Sequence, residues 1–142
     1  MKIGPLLAHL RELETQVAEE LGAAGERHRD DQDVYHQCHT FAVTAGKRVQ
    51  KLEPVAERYG GEPEWQSAMG QGSHVLLPEL RTLYLRLHEL ATTWVMAAQA
   101  AKGARDQELL TLATDCQSEV EMQAKWFLTR IKTGAPQALV VG

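Results

Sequence analysis

The sequence has no surplus of basic residues and no long apolar run. Its 15 lysines and arginines are outnumbered by 19 acidic residues, and the two signs are interspersed, which gives a formal net charge of -4. The basic stripe that contacts a nucleic-acid backbone is absent, so nucleic-acid binding is disfavoured. No stretch approaches the roughly eighteen uninterrupted apolar residues of a membrane-spanning helix, so we expect no membrane interaction.

Cysteine is also scarce. Cys38 and Cys116 both fall at apolar positions and do not form a C-x-x-C pair. Two cysteines are too few to staple a fold, so we predict reduced thiols in the core. A disulfide between them would require their helices to be neighbours. The first ten residues lack the charged region, apolar run and cleavage site of a secretory signal, and we predict a cytoplasmic protein.

The signature motifs of common enzyme classes are missing. The chain contains no P-loop, no G-x-G-x-x-G, no G-x-S-x-G and no H-E-x-x-H. A histidine on the surface of a helical bundle, such as His39, is a candidate for phosphotransfer. The sequence from His39 does not match H-x-x-K-G, so this function is disfavoured. Aromatic residues make up only 6% of the chain, so we expect a core of leucine, alanine and valine within one domain spanning residues 1–142.

The first half of the chain has strong helical periodicity. Small or apolar residues recur at spacings of three and four along two stretches, with polar residues opposite. The first helix opens at Gly4-Pro5 and ends between Leu21 and Arg29. The second is capped by Asp30 or Asp31, is kinked rather than ended by Pro54, and stops at Gly60-Gly61. Its predicted buried seam is Tyr35, Cys38, Ala42, Ala45, Val49, Leu52, Ala56 and Tyr59.

The second half repeats this plan after a long connection without periodicity, which contains Trp65 and Met69. The third helix begins between His74 and Leu77 and ends at Gly103. The fourth is capped by Asp106 and broken by Gly134 and Pro136. The connection has about fifteen residues, could reach about 50 Å, and can therefore run the length of a helix of about 40 Å.

The predicted fold is all-α: an antiparallel four-helix bundle of two helical hairpins joined by one long crossover. Among four-helix bundles, a single long crossover is the ferritin-like topology. The chain resembles short bacterial members of the ferritin-like superfamily over nearly its whole length. The residues that carry the resemblance are Asp33-Val34-Tyr35-His36-Gln37-Cys38-His39-Thr40, Leu52-Glu53-Pro54-Val55-Ala56-Glu57-Arg58-Tyr59-Gly60, and Lys125-Trp126 together with Pro136-Gln137-Ala138-Leu139.

The resemblance implies a di-iron or di-manganese site built from one glutamate on each of two helices and a Glu-x-x-His on each of the other two. The sequence departs from this pattern. The middle of the second helix, residues 41–48, has no acid and no histidine. In the fourth helix Glu119 and Glu121 are acids, but Met122 stands where a histidine would follow Glu119. We therefore expect the standard site to be lost, and we expect no cofactor.

The densest cluster of titratable residues lies at the corner of the first hairpin. Histidine and aspartate suit transition metals, so His36 or His39 with a neighbour is a candidate for an exposed metal site. Asp33 and His36 point outward by helical phase, and the ridge of Asp33, His36 and His39 is about 9 Å long, too long for one ion to bind all three. A solvated helix face is the alternative. His28 and Asp31 are expected to meet at the bundle end as a hydrogen-bonded pair, structural or catalytic, and both are also candidate metal ligands.

Four polar residues interrupt the apolar seams elsewhere: Glu14, His88, Glu119 and Gln123. A divergent inward-facing metal or ligand site would have to use them, although most such residues are core polar groups with partners.

Two functional hypotheses follow. The first is a non-enzymatic bundle acting through self-association, as a dimer, or through a protein partner, because Leu85, Leu110 and Leu128 lie off the seams and would be exposed on a monomer. The second is a metal-binding or redox protein that uses iron, manganese or zinc at a non-standard site.

Overall fold

The fold is built from four long α-helices. The computed structural model describes residues 2–64 and 72–141. These ranges contain α1 (Ile3–Arg27), α2 (Gln32–Tyr59), α3 (Leu76–Ala104) and α4 (Gln107–Pro136), followed by a π-helical turn at Gln137–Val141. The described ranges contain no strand. The predicted all-α four-helix bundle is therefore confirmed.

Aspartates cap the second helix of each hairpin. Asp31 Oδ1 accepts a hydrogen bond from the Val34 N–H at 3.2 Å, and Asp106 Oδ1 accepts one from the Leu109 N–H at 3.0 Å. These carboxylates satisfy N–H groups that have no partner within the first helical turn. Both helix starts agree with the sequence prediction.

Proline and glycine both occur inside the helices. The prediction that α2 continues past Pro54 is confirmed, because α2 extends to Tyr59 and stops at Gly60, where φ is +67°. The prediction that Gly134 breaks α4 is wrong, because α4 continues to Pro136. A glycine inside a helix costs only about 1 kcal/mol, which packing against neighbouring elements offsets.

Contacts at the helix ends establish the topology. Arg27 Nη2 donates to Glu79 Oε1 at 2.5 Å and joins the end of α1 to the start of α3. The Tyr59 hydroxyl donates to Asp106 Oδ2 at 2.6 Å and joins the end of α2 to the start of α4. Helices α1 and α3 are therefore antiparallel, as are α2 and α4.

The crossover begins and ends at opposite ends of the bundle. Near its start, Lys2 Nζ lies 2.9 Å from Glu64 Oε1, beside the beginning of α1. Near its end, the Ser73 carbonyl oxygen lies 2.9 Å from His28 Nε2, beside the end of α1. The predicted crossover thus joins the two hairpins, although residues 65–71, with Trp65 and Met69, lie outside the described residues.

All four helices contribute to one buried apolar cluster, which consists mainly of leucine and alanine, as expected. Cys38 and Cys116 are buried in it as free thiols. The predicted seam of α2 is correct in part. Four of its residues are buried, namely Cys38, Ala45, Leu52 and Ala56, whereas Tyr35, Ala42, Val49 and Tyr59 are half-buried and Val34, Arg48 and Val55 are buried beside it. No helix in the described part of the chain is long and apolar enough to cross a membrane.

Candidate functional site

Three polar side chains meet inside the bundle. Glu14 of α1 and Trp94 of α3 are 0% exposed, and Arg48 of α2 is 2% exposed. Glu14 Oε2 accepts hydrogen bonds from Arg48 Nε at 2.6 Å and from Trp94 Nε1 at 3.0 Å. The buried carboxylate is therefore paired with a cation and a neutral donor, which offset part of its desolvation cost.

Helix α4 supplies two further members. Arg48 Nη1 donates to Glu119 Oε1 at 2.8 Å and lies 3.5 Å from Gln123 Oε1. Gln123 is buried, whereas the Glu119 side chain is 43% exposed. All four helices thus contribute to what we call the central polar cluster, which consists of Glu14, Arg48, Trp94, Glu119 and Gln123.

Helical periodicity places the two most buried charges inside. Glu14 and Arg48 each lie three or four residues from a buried apolar neighbour on either side, so they share the inward faces of their helices. Sequence reasoning missed Arg48 because it followed the adjacent seam through Val49. The available signal was that Arg48, a charged residue, lies three residues after Ala45 and four before Leu52, which are both buried.

The cluster holds a permanent positive charge between two carboxylates. Burial raises the pKa of the Glu14 carboxyl, and hydrogen bonds from Arg48 and Trp94 oppose this shift. Burial disfavours the charged form of Arg48, but its bonds to Glu14 and Glu119 outweigh that effect and raise its pKa. An arginine stays protonated at every physiological pH, so the cation is always present.

Two buried atoms of the cluster have no hydrogen-bond partner among the described residues. They are Glu14 Oε1 and Arg48 Nη2. An unbonded buried polar group costs about 1–3 kcal/mol. The cluster therefore stabilises the fold less than a fully bonded network would, and removing one of its charges leaves the other buried without compensation.

The cluster does not fit a carboxylate-bridged di-metal centre. Such a centre needs a carboxylate from every helix and a histidine from two of them. At this level of the bundle α2 contributes the Arg48 guanidinium and α3 the Trp94 indole. A divalent cation would meet the positive charge of Arg48 where the centre requires ligands, so this layer suits a guanidinium and not a metal ion.

The predicted pair of His28 and Asp31 does not form. The buried His28 places Nε2 2.9 Å from the Ser73 carbonyl oxygen, at the end of the crossover. Asp31 caps α2, and its other carboxylate oxygen binds Arg130 of α4. Both side chains therefore have structural partners that the local sequence did not identify.

The predicted ridge on α2 contains two histidines with different surroundings. His36 is exposed, as its helical phase predicted. His39 is half-buried, and its Nε2 lies 3.0 Å from Glu26 Oε1 of α1. No group of three or more histidine, cysteine, aspartate or glutamate side chains within residues 2–64 and 72–141 is arranged to hold a metal ion.

His88 lies apart from the other inward candidates. It is exposed on α3, and its ring stands edge-on to Tyr84 with the centroids 4.5 Å apart. Glu14, Glu119 and Gln123 do come together, but they surround Arg48. A joint site of His88 and Glu119 is therefore not assembled.

A second buried arginine joins α1 to α3. Arg86 Nε donates to Glu20 Oε2 at 2.9 Å, and Arg86 Nη1 donates to Glu89 Oε2 at 2.8 Å. Sequence reasoning missed this residue as well. The bond to Glu20 forms an ion pair between α3 and α1, whereas Glu89 lies three residues further along α3 itself.

A groove of about 550 Å³ runs along the surface between α2 and α4. We call it the α2–α4 groove. Because Glu119 lines this groove and also contacts Arg48, the groove extends from solvent to the central polar cluster. Its main walls are Phe41 and Thr44 of α2 and Asp115, Glu119, Met122 and Trp126 of α4.

Comparisons of the chain with protein-family models, with curated proteins and with solved structures found no match. The resemblance to the ferritin-like superfamily therefore rests on the residues of this chain alone.

Proposed function

We propose that this protein is a non-enzymatic, ferritin-like bundle that has lost the standard di-iron site and acts by associating with a second copy of itself or with another protein. The observation that carries this proposal is the position of Arg48. Its guanidinium bonds Glu14 of α1 and Glu119 of α4 inside the bundle, where a four-helix metal centre would place its ions. The bundle thus supplies its own internal cation.

Electrostatics supports this interpretation. A metal ion at this layer would have to displace an arginine that is 2% exposed and bonded to two carboxylates. The displaced guanidinium would lose its carboxylate partners, and a buried charge left without compensation costs about 3–5 kcal/mol. The folded chain therefore resists the rearrangement that metal binding would require.

Exposed apolar side chains support action by association. Leu85 on α3 is 56% exposed, and Met122 on α4 is 71% exposed. Leu110 and Leu128, also expected to be exposed, are half-buried, so the surface available for association is smaller than the sequence suggested. A dimer remains a proposal that rests on Leu85, Val95 and Met96, which are all exposed on α3.

A metal-binding or redox function is the second hypothesis, and no specific contact favours it. Its candidate ligands His28, Asp31 and His39 are bonded to Ser73, Arg130 and Glu26 respectively. Glu119 is bonded to Arg48, and the remaining candidates, His36 and His88, are exposed on different helices. We also propose a cytoplasmic location, because free buried thiols suit a reducing compartment.

Elemental analysis tests the loss of the metal site. Protein purified without an affinity tag or chelator is incubated with Fe(II), Mn(II) or Zn(II), passed through a desalting column and analysed. We expect metal far below one ion per chain in both the wild-type protein and the Glu14→Gln variant. Retention of about one or two ions per chain, as a di-metal centre would show, overturns the proposal. Loss of that metal in Glu14→Gln would place it in the central polar cluster.

Light scattering coupled to size-exclusion chromatography tests self-association. If α3 forms a dimer interface, the wild-type protein elutes with a dimer mass, and Leu85→Ser reduces it. Val43→Ser is the matched control, since Val43 is 61% exposed on α2. A monomer at all concentrations would overturn self-association and leave association with another protein as the proposed mode of action.

A further inference from the structure

The α2–α4 groove has a carboxylate held in place at its floor. Glu119 Oε1 is fixed by Arg48 Nη1 at 2.8 Å, and the side chain as a whole is 43% exposed and lines the groove. A side chain anchored from behind loses less conformational entropy when it binds a ligand. Glu119 is therefore a preorganised acceptor for a positively charged group.

Asp115 adds a second negative charge one helical turn before Glu119. Residues four apart lie on the same face of a helix, and Asp115 is exposed on the same groove wall. None of the residues that line this groove is basic. This end of the groove consequently favours positively charged groups, which can bind at two carboxylates spaced by one helical turn.

The middle of the groove is apolar and aromatic. Met122 is 71% exposed, and Trp126 and Phe41 stand edge to face with their centroids 6.0 Å apart, one on each wall. Methionine adapts its shape to different apolar partners and is common at surfaces that bind helices. An exposed methionine beside two aromatic rings, next to two carboxylates, is an amphipathic surface.

The groove continues past Trp126 toward the far end of α4. A second depression of about 300 Å³ shares Trp126 with the first and extends to Thr133. Its lining includes one acid, Asp33, and one base, Arg130, whose guanidinium is paired with Asp31. From Asp115 to Thr133 the wall follows α4 for about 27 Å, the length of roughly 18 helical residues. An elongated surface of this kind suits a helix better than it suits a small molecule.

We propose that the α2–α4 groove docks a basic amphipathic helix of a partner protein. Apolar side chains at spacings of three and four would pack on Met122, Trp126 and Phe41, while lysine or arginine at one end would bind Asp115 and Glu119. This inference rests on the proposed function, since it names the chemistry of the partner with which the bundle associates.

The test measures binding of a designed peptide to the full chain. The probe is a dye-labelled helical peptide of roughly 18 residues, with leucines three and four positions apart on one face and lysines in its last turn. We expect saturable binding by fluorescence anisotropy. The double variant Asp115→Asn/Met122→Ser should weaken it by about tenfold or more, because it removes one charge and the apolar centre of the groove.

A matched double variant controls for general attraction between a basic peptide and an acidic protein. Val43→Ser/Glu57→Gln removes one exposed apolar residue and one exposed acid outside the groove, and it should leave affinity within about twofold of the wild type. A peptide with glutamate in place of its lysines should not bind. Circular dichroism verifies that both double variants remain folded.

Three outcomes overturn the inference: no binding by the folded wild-type protein, equal weakening in both double variants, or weakening in neither. A wild-type dimer that becomes a monomer only in the groove variant also overturns it, because the occupant is then a second copy. Metal uptake by the wild-type protein would overturn the proposed function while peptide binding stays measurable, so the two failures are distinguishable.

Discussion

Replacing Arg48 with methionine should be among the most damaging single substitutions in this bundle. Methionine fills much of the same space but leaves Glu14, which is 0% exposed, without its cation. Breaking a buried ion pair in this way costs about 3–5 kcal/mol of unfolding free energy. A domain typically has only about 5–15 kcal/mol in total, so the variant should be close to unfolding.

Urea unfolding followed by circular dichroism measures this loss. With a slope of about 2 kcal/mol per molar urea, the midpoint of Arg48→Met should fall by about 2 M. The double variant Glu14→Gln/Arg48→Met removes both buried charges and keeps an acceptor for Trp94 Nε1. Its stability should return to within about 1–2 kcal/mol of the wild type, because a neutral replacement removes the desolvation cost as well.

The pH dependence has a definite sign. Burial already raises the pKa of Glu14, and losing the opposing bonds of Arg48 should raise it further. A carboxyl with a raised pKa in the folded state binds more protons there than in the unfolded state, so stability falls as pH rises above its ordinary value of 4.5. The loss of unfolding free energy in Arg48→Met, relative to the wild type, should therefore be larger at pH 8 than at pH 4.5.

Arg11→Met is the matched control for Arg48→Met. Arg11 also pairs with a glutamate on a neighbouring helix, Glu53, but both side chains are more than a third exposed. Its loss should cost no more than about 1 kcal/mol. Equal destabilisation by the two single variants, or a double variant no more stable than Arg48→Met, would refute the reasoning.

Three further predictions concern the thiols, a helix cap and a close backbone approach. Burial raises the pKa of Cys38 and Cys116 to about 12, so both should react with Ellman's reagent at pH 8 far more slowly in the native protein than in urea. The pKa of Asp106 is lowered by its bonds to the Tyr59 hydroxyl and the Leu109 N–H, so its stabilising effect is complete above about pH 4 and is lost as pH falls through the lowered value. Between pH 5 and pH 3, the unfolding free energy of Asp106→Asn, measured by urea titration, should therefore fall less than that of the wild-type protein. Gly4→Ala would drive a methyl group into the Gly60 carbonyl and should cost about 1–3 kcal/mol in the same assay, whereas Gly46→Ala has open space and should stabilise by about 0.5–1 kcal/mol.

The helices and their order followed from the sequence because their signals are local. Asp31 and Asp106 cap helices with N–H groups only three residues away, and the two short corners and one long connection restrict the order of packing. The error at Gly134 has a physical cause. A glycine weakens a helix locally, but packing against other elements decides whether the helix continues.

The sequence by itself determined four amphipathic helices, two hairpins and a leucine-rich and alanine-rich core, since spacing and caps act within a few residues. Only the tertiary structure decided which residues beside Cys38, Ala45, Leu52 and Ala56 complete the buried face of α2, and hence that Arg48 lies inside. Adjacent residues differ by about 100° around a helix, so the choice between Val49 and Arg48 depends on partners elsewhere. Those partners, Glu14 and Glu119, are 34 and 71 residues away along the chain. The buried cation, the orientation of Glu119 and the α2–α4 groove are consequences of long-range pairing, which no local pattern encodes.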